Sequence, residues 1–193
     1  LLLLVVYAGG CYYYGNHFQR GTLIDQVDVS NLTVQDLADR VDAYFLRIQE
    51  RKSDGSSYEE SIDGKAIDLS YASTEPLQQI LREQNQYLWF LPQHAEHETE
   101  ALLSYNKEKL TQAVQALKGF EEDFAQAPTN AHISEYTPET GFSIVAETQG
   151  NELDQAKTLE VISNAVEELK GLVDLDAEGC YETPAVTSDS EEL

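Results

Sequence analysis

Residues 84–117, QNQYLWFLPQHAEHETEALLSYNKEKLTQAVQAL, contain the stretch around which we expect the fold to be organised. Tyr87 to Leu91 form the densest apolar run outside the N-terminus and include the only tryptophan, Trp89. Pro92 ends any helix that carries this run, because proline lacks the amide hydrogen that a helix interior needs. A new helix begins at Asn106. The pattern predicts an aromatic cluster packed between two helices, at the joint between two halves of a small fold.

Hydrophobic periodicity predicts the secondary structure on either side of this stretch. Thr33 is a good N-cap, and Asp36 three positions later favours a helix that starts there. The predicted helices cover residues 33–43, 74–88, 106–117 and 154–169. The predicted strands cover residues 22–24, 27–29, 98–105 and 173–175, and the predicted hairpins pair 44–52 with 57–62 and 131–136 with 142–146. A first helix that continues to residue 50 is the alternative to the first hairpin.

This order of elements predicts an α+β fold with mainly antiparallel sheet and packed helices. Two helix–hairpin–helix halves, residues 22–91 and 99–175, share the same pattern and suggest a duplication. We therefore expect one domain over residues 22–186, with possible subdomains at 22–98 and 99–186.

The charge of the chain restricts its partners. Thirty-five acidic residues against 12 basic ones give a net charge of −23 among 193 residues. Such a chain repels nucleic acid, and no glycine-rich phosphate loop is present. We expect no nucleic-acid partner and no cofactor.

The N-terminal residues 1–14, LLLLVVYAGGCYYY, are apolar throughout but shorter than the roughly 20 residues of a bilayer span. We interpret them as part of a truncated membrane-anchor helix with interfacial tyrosines, joined by a juxtamembrane link over 15–21. The remnant of a signal peptide, or a lipoprotein acylated at Cys11, are the alternatives. Residues 187–193 are acidic and polar, as expected of a linker to a further domain.

Candidate reactive side chains are few. Cys180 has no nearby histidine to act as its base, so we expect a structural thiol rather than a nucleophile. His94 and His97 have a metal-like spacing, but they follow Pro92 in a stretch that we interpret as a solvated loop. His132 is predicted to lie on the surface, and no metal site is expected.

Acidic and aromatic residues offer two further kinds of site. Glu59-Glu60 and residues 121–123 are interpreted as solvated surface, because adjacent acids on a strand point to opposite faces. Tyr87, Trp89 and Phe90 could stack on sugar rings, although core packing is favoured. Of these, Trp89 and Tyr87 are the candidate ligand-binding residues, and Trp89 is the better candidate for partial exposure.

The opening of the chain resembles a known family. Residues 15–41 read GNHFQRGTLIDQVDVSNLTVQDLADRV, similar to the peptidoglycan-binding domain found N-terminal to the catalytic domain of Gram-positive L,D-transpeptidases. The positions that match are Phe18, Gly21, Thr22, Ile24, Val27, Asp28, Val29, Ser30, Thr33 and Val34, whereas Leu37 departs from the family's usual Glu or Ala. Residues 63–71, 82–90, 103–110, 150–158 and 172–193 are also similar to the family.

The resemblance implies a non-catalytic, extracytoplasmic module, anchored to the membrane by its N-terminal helix. Such a module would hold peptidoglycan for a C-terminal transpeptidase domain of the same protein. The family's catalytic cysteine lies in a Ser-x-Gly-Cys-x-Arg-like segment, which Glu178-Gly179-Cys180-Tyr181 does not match. A structural spacer with no ligand of its own is the alternative.

Overall fold

The computed structural model describes residues 1–91, 94–99 and 103–191. The helices are α1 (Leu2–Tyr14), α2 (Val34–Asp42), α3 (Glu75–Glu83), α4 (Lys107–Gln115) and α5 (Gln155–Glu167), with short 3-10 helices at Gly64–Ile67, Gln86–Leu88 and Lys118–Phe120. The strands are β1 (Thr22–Ile24), β2 (Val27–Asp28), β3 (Phe45–Arg51), β4 (Ser57–Asp63), β5 (Ser70–Tyr71), β6 (Ala95–His97), β7 (Leu103–Ser104), β8 (His132–Ile133), β9 (Ile144–Val145) and β10 (Leu172–Asp174). The predicted α+β class is confirmed.

The described strands form small sheets of mixed pairing. Pairs β1–β2, β3–β4, β5–β7 and β8–β9 are antiparallel, whereas β1–β6 and β3–β10 are parallel. The sheet is therefore mainly antiparallel, as the sequence predicts. The chain divides into two compact units, unit 1 (1–44 and 64–106) and unit 2 (45–63 and 107–193). The internal duplication and the subdomain boundary near residue 98 stay predictions.

Local signals start α2 and the hairpin after it. Thr33 accepts a hydrogen bond from the Asp36 N–H at 3.0 Å, and the Asp36 carboxylate accepts the Thr33 N–H at 2.8 Å, which completes a capping box. Gly55 has a φ of +79° in the turn between β3 and β4, a conformation that glycine adopts without a steric penalty. The helix ends at Asp42, so the alternative of a helix to residue 50 is wrong.

Unit 1 contains an apolar cluster and a three-stranded sheet with the strand order β2-β1-β6. The β1–β2 turn places Asp25 and Gln26 at φ values of 49° and 66°, the positive values that a tight two-residue hairpin loop requires. The fully or nearly buried cluster members are Phe18, Ile24, Val29, Leu37, Leu77 and Ile80.

Unit 2 is built on the order β10-β3-β4, in which β3 is the central strand. Helix α5 begins after Asp154, whose carboxylate accepts the Lys157 N–H at 3.0 Å. Buried apolar side chains come from the central strand, both helices of the unit, β10 and the residue after it: Leu46, Ile48, Leu110, Val114, Ile162, Val166, Val173 and Leu175.

Two sequence predictions in unit 1 need correction. The predicted helix over 74–88 ends at Glu83, because the chain turns extended at Gln84 (ψ 145°) and the Asn85 side chain then caps a 3-10 turn. Tyr87 and Leu88 are therefore absent from its apolar stripe. The predicted strand over 98–105 is confirmed at Leu103–Ser104 and wrong at residues 98–99, which follow a separate strand at Ala95–His97. Pro92 and residues 100–102 lie outside the described residues.

The apolar N-terminal run forms helix α1. Residues 1–9 of the chain are all exposed to solvent. Among the residues that the structure describes, no helix has both the length and the apolar composition for a bilayer crossing.

Candidate functional site

Trp89 packs against the N-terminal helix. Its indole ring stacks on Tyr14, with ring centroids 5.9 Å apart, and a methyl group added to Gly10 would overlap the ring. The half-buried Trp89 has a buried indole N–H that meets no acceptor among the described residues. Trp89 therefore packs against α1, and its half-buried position agrees with the partial exposure that the sequence predicts.

A second set of contacts holds the end of α1 in unit 1. The Gln84 side-chain amide donates to the backbone oxygens of Tyr14 and His17 at 2.5 and 2.7 Å. The buried Gln19 donates to the Asn85 backbone oxygen at 2.7 Å. The segment that carries Trp89 is thus joined to α1 by hydrogen bonds as well as by ring packing.

Tyr87 and Phe90 lie on the surface beside α1. Their side chains are 59% and 55% exposed, so the interpretation of these two as core residues is wrong. The Tyr7 hydroxyl donates to the Tyr87 backbone oxygen at 3.2 Å, and the Tyr7 and Phe90 rings are 6.4 Å apart. These aromatic rings extend the apolar surface of α1 rather than lining a separate groove.

Unit 2 carries an exposed β-hairpin that the sequence predicts only in outline. We call residues 129–148 the hairpin arm. Strands β8 and β9 pair His132 with Val145 and Ile133 with Ile144, and Thr129 and Thr148 close its base through paired backbone hydrogen bonds of 3.0 and 3.1 Å. At the tip, Thr137 and Gly141 exchange backbone hydrogen bonds, and Gly141 has a φ of +70°.

The hairpin arm exposes apolar groups on both faces. Ile133, Ile144 and Val145 are exposed, and neighbouring residues of a strand point to opposite faces. Tyr136 and Phe142 meet edge to face near the tip, with ring centroids 5.3 Å apart, and are 63% and 68% exposed. This aromatic pair was not predicted from the sequence. Its signal was an aromatic residue on either side of the turn at residues 137–141.

The base of the arm is tied to the C-terminal segment of unit 2. The Asn130 side-chain oxygen accepts the N–H groups of Ala185 and Val186, at 2.8 and 3.2 Å. Glu147 accepts from the Ser188 N–H and hydroxyl at 2.8 and 2.5 Å, and these bonds hold the pKa of its carboxyl below the ordinary value. The arm is thereby fixed at its base, and residues 135–140 and 142–146 toward its tip are exposed.

A pair of carboxyl groups lies beneath the turn at residues 118–120. Glu50 is 1% exposed, and its Oε2 accepts the Gly119 N–H at 2.8 Å. Glu60 accepts the Lys118 N–H at 2.8 Å. Burial, and then the charge of Glu60, raise the pKa of Glu50 to about 7.

The carboxyl pair changes one interpretation from sequence. Glu59 is exposed and faces Arg47 at 4.0 Å, as a solvated residue should, whereas Glu60 is half-buried and binds backbone. Residues 121–123 are exposed, as predicted. Because Glu50 is buried, substrate cannot reach it in this conformation, and the pair serves to fix the turn.

The remaining candidates are Cys180 and the histidines. Cys180 is fully buried, its N–H donates to Leu175 at 2.9 Å, and burial raises the pKa of its thiol. This is the structural thiol that the sequence predicts. His132 is exposed, as predicted.

His97 lies in β6 rather than in a loop, which corrects that interpretation, while His94 is exposed outside the strand. A cleft of about 330 Å³ beside β6 is lined by Asp25, Gln26, Glu96, His97, Glu98 and Thr99. Within residues 1–91, 94–99 and 103–191, no three His, Cys, Asp or Glu side chains are placed to hold a metal ion.

A comparison with protein families identifies the class of domain. The family model described as "Putative peptidoglycan binding domain" matches residues 60–174, which is more than half of the chain. The chain belongs to this family. No curated protein and no solved structure matches the chain.

The peptidoglycan-binding domain match covers both aromatic groups described above, since Tyr87, Trp89, Tyr136 and Phe142 all lie within residues 60–174. Cys180 and helix α1 lie outside that range. The family description concerns binding to peptidoglycan, in agreement with the binding role that the resemblance implies.

Proposed function

We propose that this chain is a cell-wall module that binds or positions peptidoglycan within a membrane-anchored L,D-transpeptidase-like protein. The observation that carries the proposal is the family match over residues 60–174. The net charge of −23 supports it physically, because a strongly acidic surface attracts the protonated amines of stem peptides. Under this proposal, a transpeptidase domain on the C-terminal side is the enzyme that the module serves.

The proposed location is the outer face of the membrane, with α1 entering the bilayer. A helix that is apolar on all sides is suited to a buried or lipid environment, and residues 1–9 are exposed in this structure. Tyr12 and Tyr13 at the end of α1 have the amphipathic rings that favour a membrane–water interface. Acylation at Cys11 is the less favoured mode of attachment.

A structural spacer is the second candidate function. It is favoured by the way Trp89, Gly10 and Gln84 join α1 to the rest of unit 1, since a rigid connection suits a module that sets a distance from the membrane. The spacer needs no ligand, so binding measurements separate the two candidates.

Sedimentation with purified peptidoglycan sacculi tests the proposal. The full chain in mild detergent is expected to pellet with sacculi in a saturable manner and to remain in solution without them. A chain that stays in solution at every sacculus concentration would support the spacer and exclude the binding function.

A further inference from the structure

We propose that the hairpin arm is the part of the chain that contacts peptidoglycan. In this arrangement, Tyr136 and Phe142 stack on saccharide rings, while Glu135 and Glu139 bind protonated amines of the stem peptides. The inference rests on the proposed function and adds to it a specific surface and a ligand chemistry.

The first reason is the exposure of apolar groups that a folded chain ordinarily buries. Tyr136 and Phe142 are 63% and 68% exposed, and three aliphatic side chains of the same arm are exposed on its two faces. An isolated two-stranded hairpin is only marginally stable in water. Several exposed apolar groups on one short element favour an interaction surface.

The second reason is the geometry of the aromatic pair. The two rings meet at an interplanar angle of 61°, with centroids 5.3 Å apart, in an edge-to-face contact. This arrangement leaves ring faces open to solvent, where the apolar C–H face of a saccharide can stack. The Tyr136 hydroxyl adds a polar group at the margin of the same surface.

The third reason is charge complementarity. No lysine or arginine occurs between Lys118 and Lys157, whereas eight acidic residues occur in that interval. Glu135 directly precedes Tyr136, Glu139 lies in the turn between Tyr136 and Phe142, and both glutamates are exposed. A ligand that combines saccharide rings with primary amines matches both features, and peptidoglycan is such a ligand.

The fourth reason is that the hydrogen bonds between the arm and the C-terminal segment, among the described residues, lie at the base of the arm. Asn130 and Glu147 bind the segment that contains Ala185, Val186 and Ser188. The tip, at Thr137 and Gly141, is closed by hydrogen bonds within the arm. Stacking at the tip therefore requires no disruption of the fold.

The exposed rings of unit 1 are the natural control. Tyr87 and Phe90 are exposed to a similar extent, but they adjoin Tyr7 of α1 and continue an apolar helix surface. The same binding measurement on both aromatic groups therefore distinguishes a specific subsite from general adhesion of exposed rings.

The experiment is sedimentation of the full chain with purified sacculi in mild detergent. The double variant Tyr136→Ala/Phe142→Ala is expected to weaken binding about tenfold, the effect of losing a binding hot spot. The matched variant Tyr87→Ala/Phe90→Ala is expected to bind as the unchanged protein does. Phe142→Leu keeps apolar bulk without a flat ring, so it is expected to weaken binding as well, and its circular dichroism reports whether the arm remains folded.

Charge is tested on the same material. Acetylation of the free amines of the sacculi, or the variant Glu135→Gln/Glu139→Gln, is expected to weaken binding by about threefold and to remove most of its salt dependence. Combining the two changes should give no further loss.

The outcomes separate the two levels of the proposal. If the unchanged protein does not sediment with sacculi, the proposed function itself fails. If it sediments, and Tyr136→Ala/Phe142→Ala or Phe142→Leu sediments equally, the hairpin arm is not the contact and the inference alone is overturned. Equal loss in the Tyr87→Ala/Phe90→Ala control, or a hairpin variant that instead dissociates a dimer of this chain, would also overturn it.

Discussion

The two aromatic groups of this molecule, one around Trp89 in unit 1 and one at Tyr136 and Phe142 in unit 2, differ in the residues that pack against them. In unit 1, Trp89 packs on Tyr14 and leaves no room for a side chain at Gly10. In unit 2, Tyr136 and Phe142 contact each other and are otherwise open to solvent. The denser aromatic run in the sequence thus supplies the packed ring, Trp89, although its neighbours Tyr87 and Phe90 are nearly as exposed as the dispersed pair. Density of aromatic residues along a chain therefore does not identify a binding platform.

The largest expected contrast between these groups is in stability. Trp89→Ala should lower the free energy of unfolding of unit 1 by about 3 kcal/mol, because it removes a large ring packed against α1. Tyr136→Ala should cost less than about 1 kcal/mol, the usual limit for an exposed side chain. Urea titration followed by circular dichroism measures both. Equal losses of unfolding free energy in the two variants would contradict a packed Trp89 and an exposed Tyr136.

A second contrast concerns pH, which should act on the unit that carries the hairpin arm. The folded-state pKa of Glu50, about 7, lies above its ordinary value because of burial and of the neighbouring Glu60 and Glu121 carboxylates, against which the Gly119 N–H acts. A carboxyl group whose pKa is raised by folding contributes stability that is fully present at pH values below its pKa in the unfolded chain. That stability is lost as pH rises through about 7.

Unit 2 should therefore lose about 3 kcal/mol of stability between pH 5 and pH 8 from this group. Glu50→Gln should be more stable than the unchanged protein at pH 8 and should lose most of that pH dependence. Asp28, Asp36, Asp54 and Glu147 have lowered pKa values, so their effects belong to more acidic solutions. The emission of Trp89, in unit 1, is the control signal, and a matching pH dependence there would contradict the assignment to Glu50.

Substitution of the glycine that lies beside Trp89 should have a smaller effect on stability. Gly10→Ala should destabilise unit 1 by about 2 kcal/mol, because overlap with the Trp89 ring outweighs the better helix propensity of alanine. The tryptophan emission should also shift to longer wavelength as the ring is displaced. An unchanged spectrum together with a gain in stability would show that the close approach of Gly10 and Trp89 is absent in solution.

Substitution of Gly141, near the exposed Tyr136 and Phe142, should have the smallest effect on stability, and its cause is the backbone conformation. At Gly141 a methyl group would meet nothing within 4 Å, but the φ of +70° is unfavourable for alanine. Gly141→Ala should cost about 1 kcal/mol, and Gly141→Asn less, since asparagine tolerates this conformation better. Amide exchange of the Gly141 and Thr137 N–H groups reports the opening of the tip. Equal exchange in the alanine and asparagine variants would contradict a conformational cause.

The sequence predicted those parts of the fold that depend on local chemistry. The capping box of Thr33 and Asp36, and the turn at Gly55, place α2 and the first long hairpin correctly because their signals involve neighbouring residues. The end of α3 was missed, since it depends on Gln84 and its bonds to a segment about 70 residues earlier. Such bonds leave no periodic pattern in the sequence.

The candidate site was harder to predict for the same kind of reason. Alternation along a strand does not say whether a face is covered, so Tyr136 and Phe142 looked like ordinary hairpin residues. Glu50 did carry a signal, because it continues the inward face defined by Leu46 and Ile48. An acid at such a position indicates a buried carboxyl group, and the raised pKa follows from that placement.

The central position of β3 has a practical consequence for dissecting this protein. In the order β10-β3-β4, the strand that joins the other two comes from residues 45–51, ahead of the stretch that defines the family. A fragment cut to residues 60–174 would keep β10 and part of β4 and lose the strand between them. We expect that fragment to expose unpaired strand edges and to aggregate, so recombinant truncations should begin upstream of residue 45.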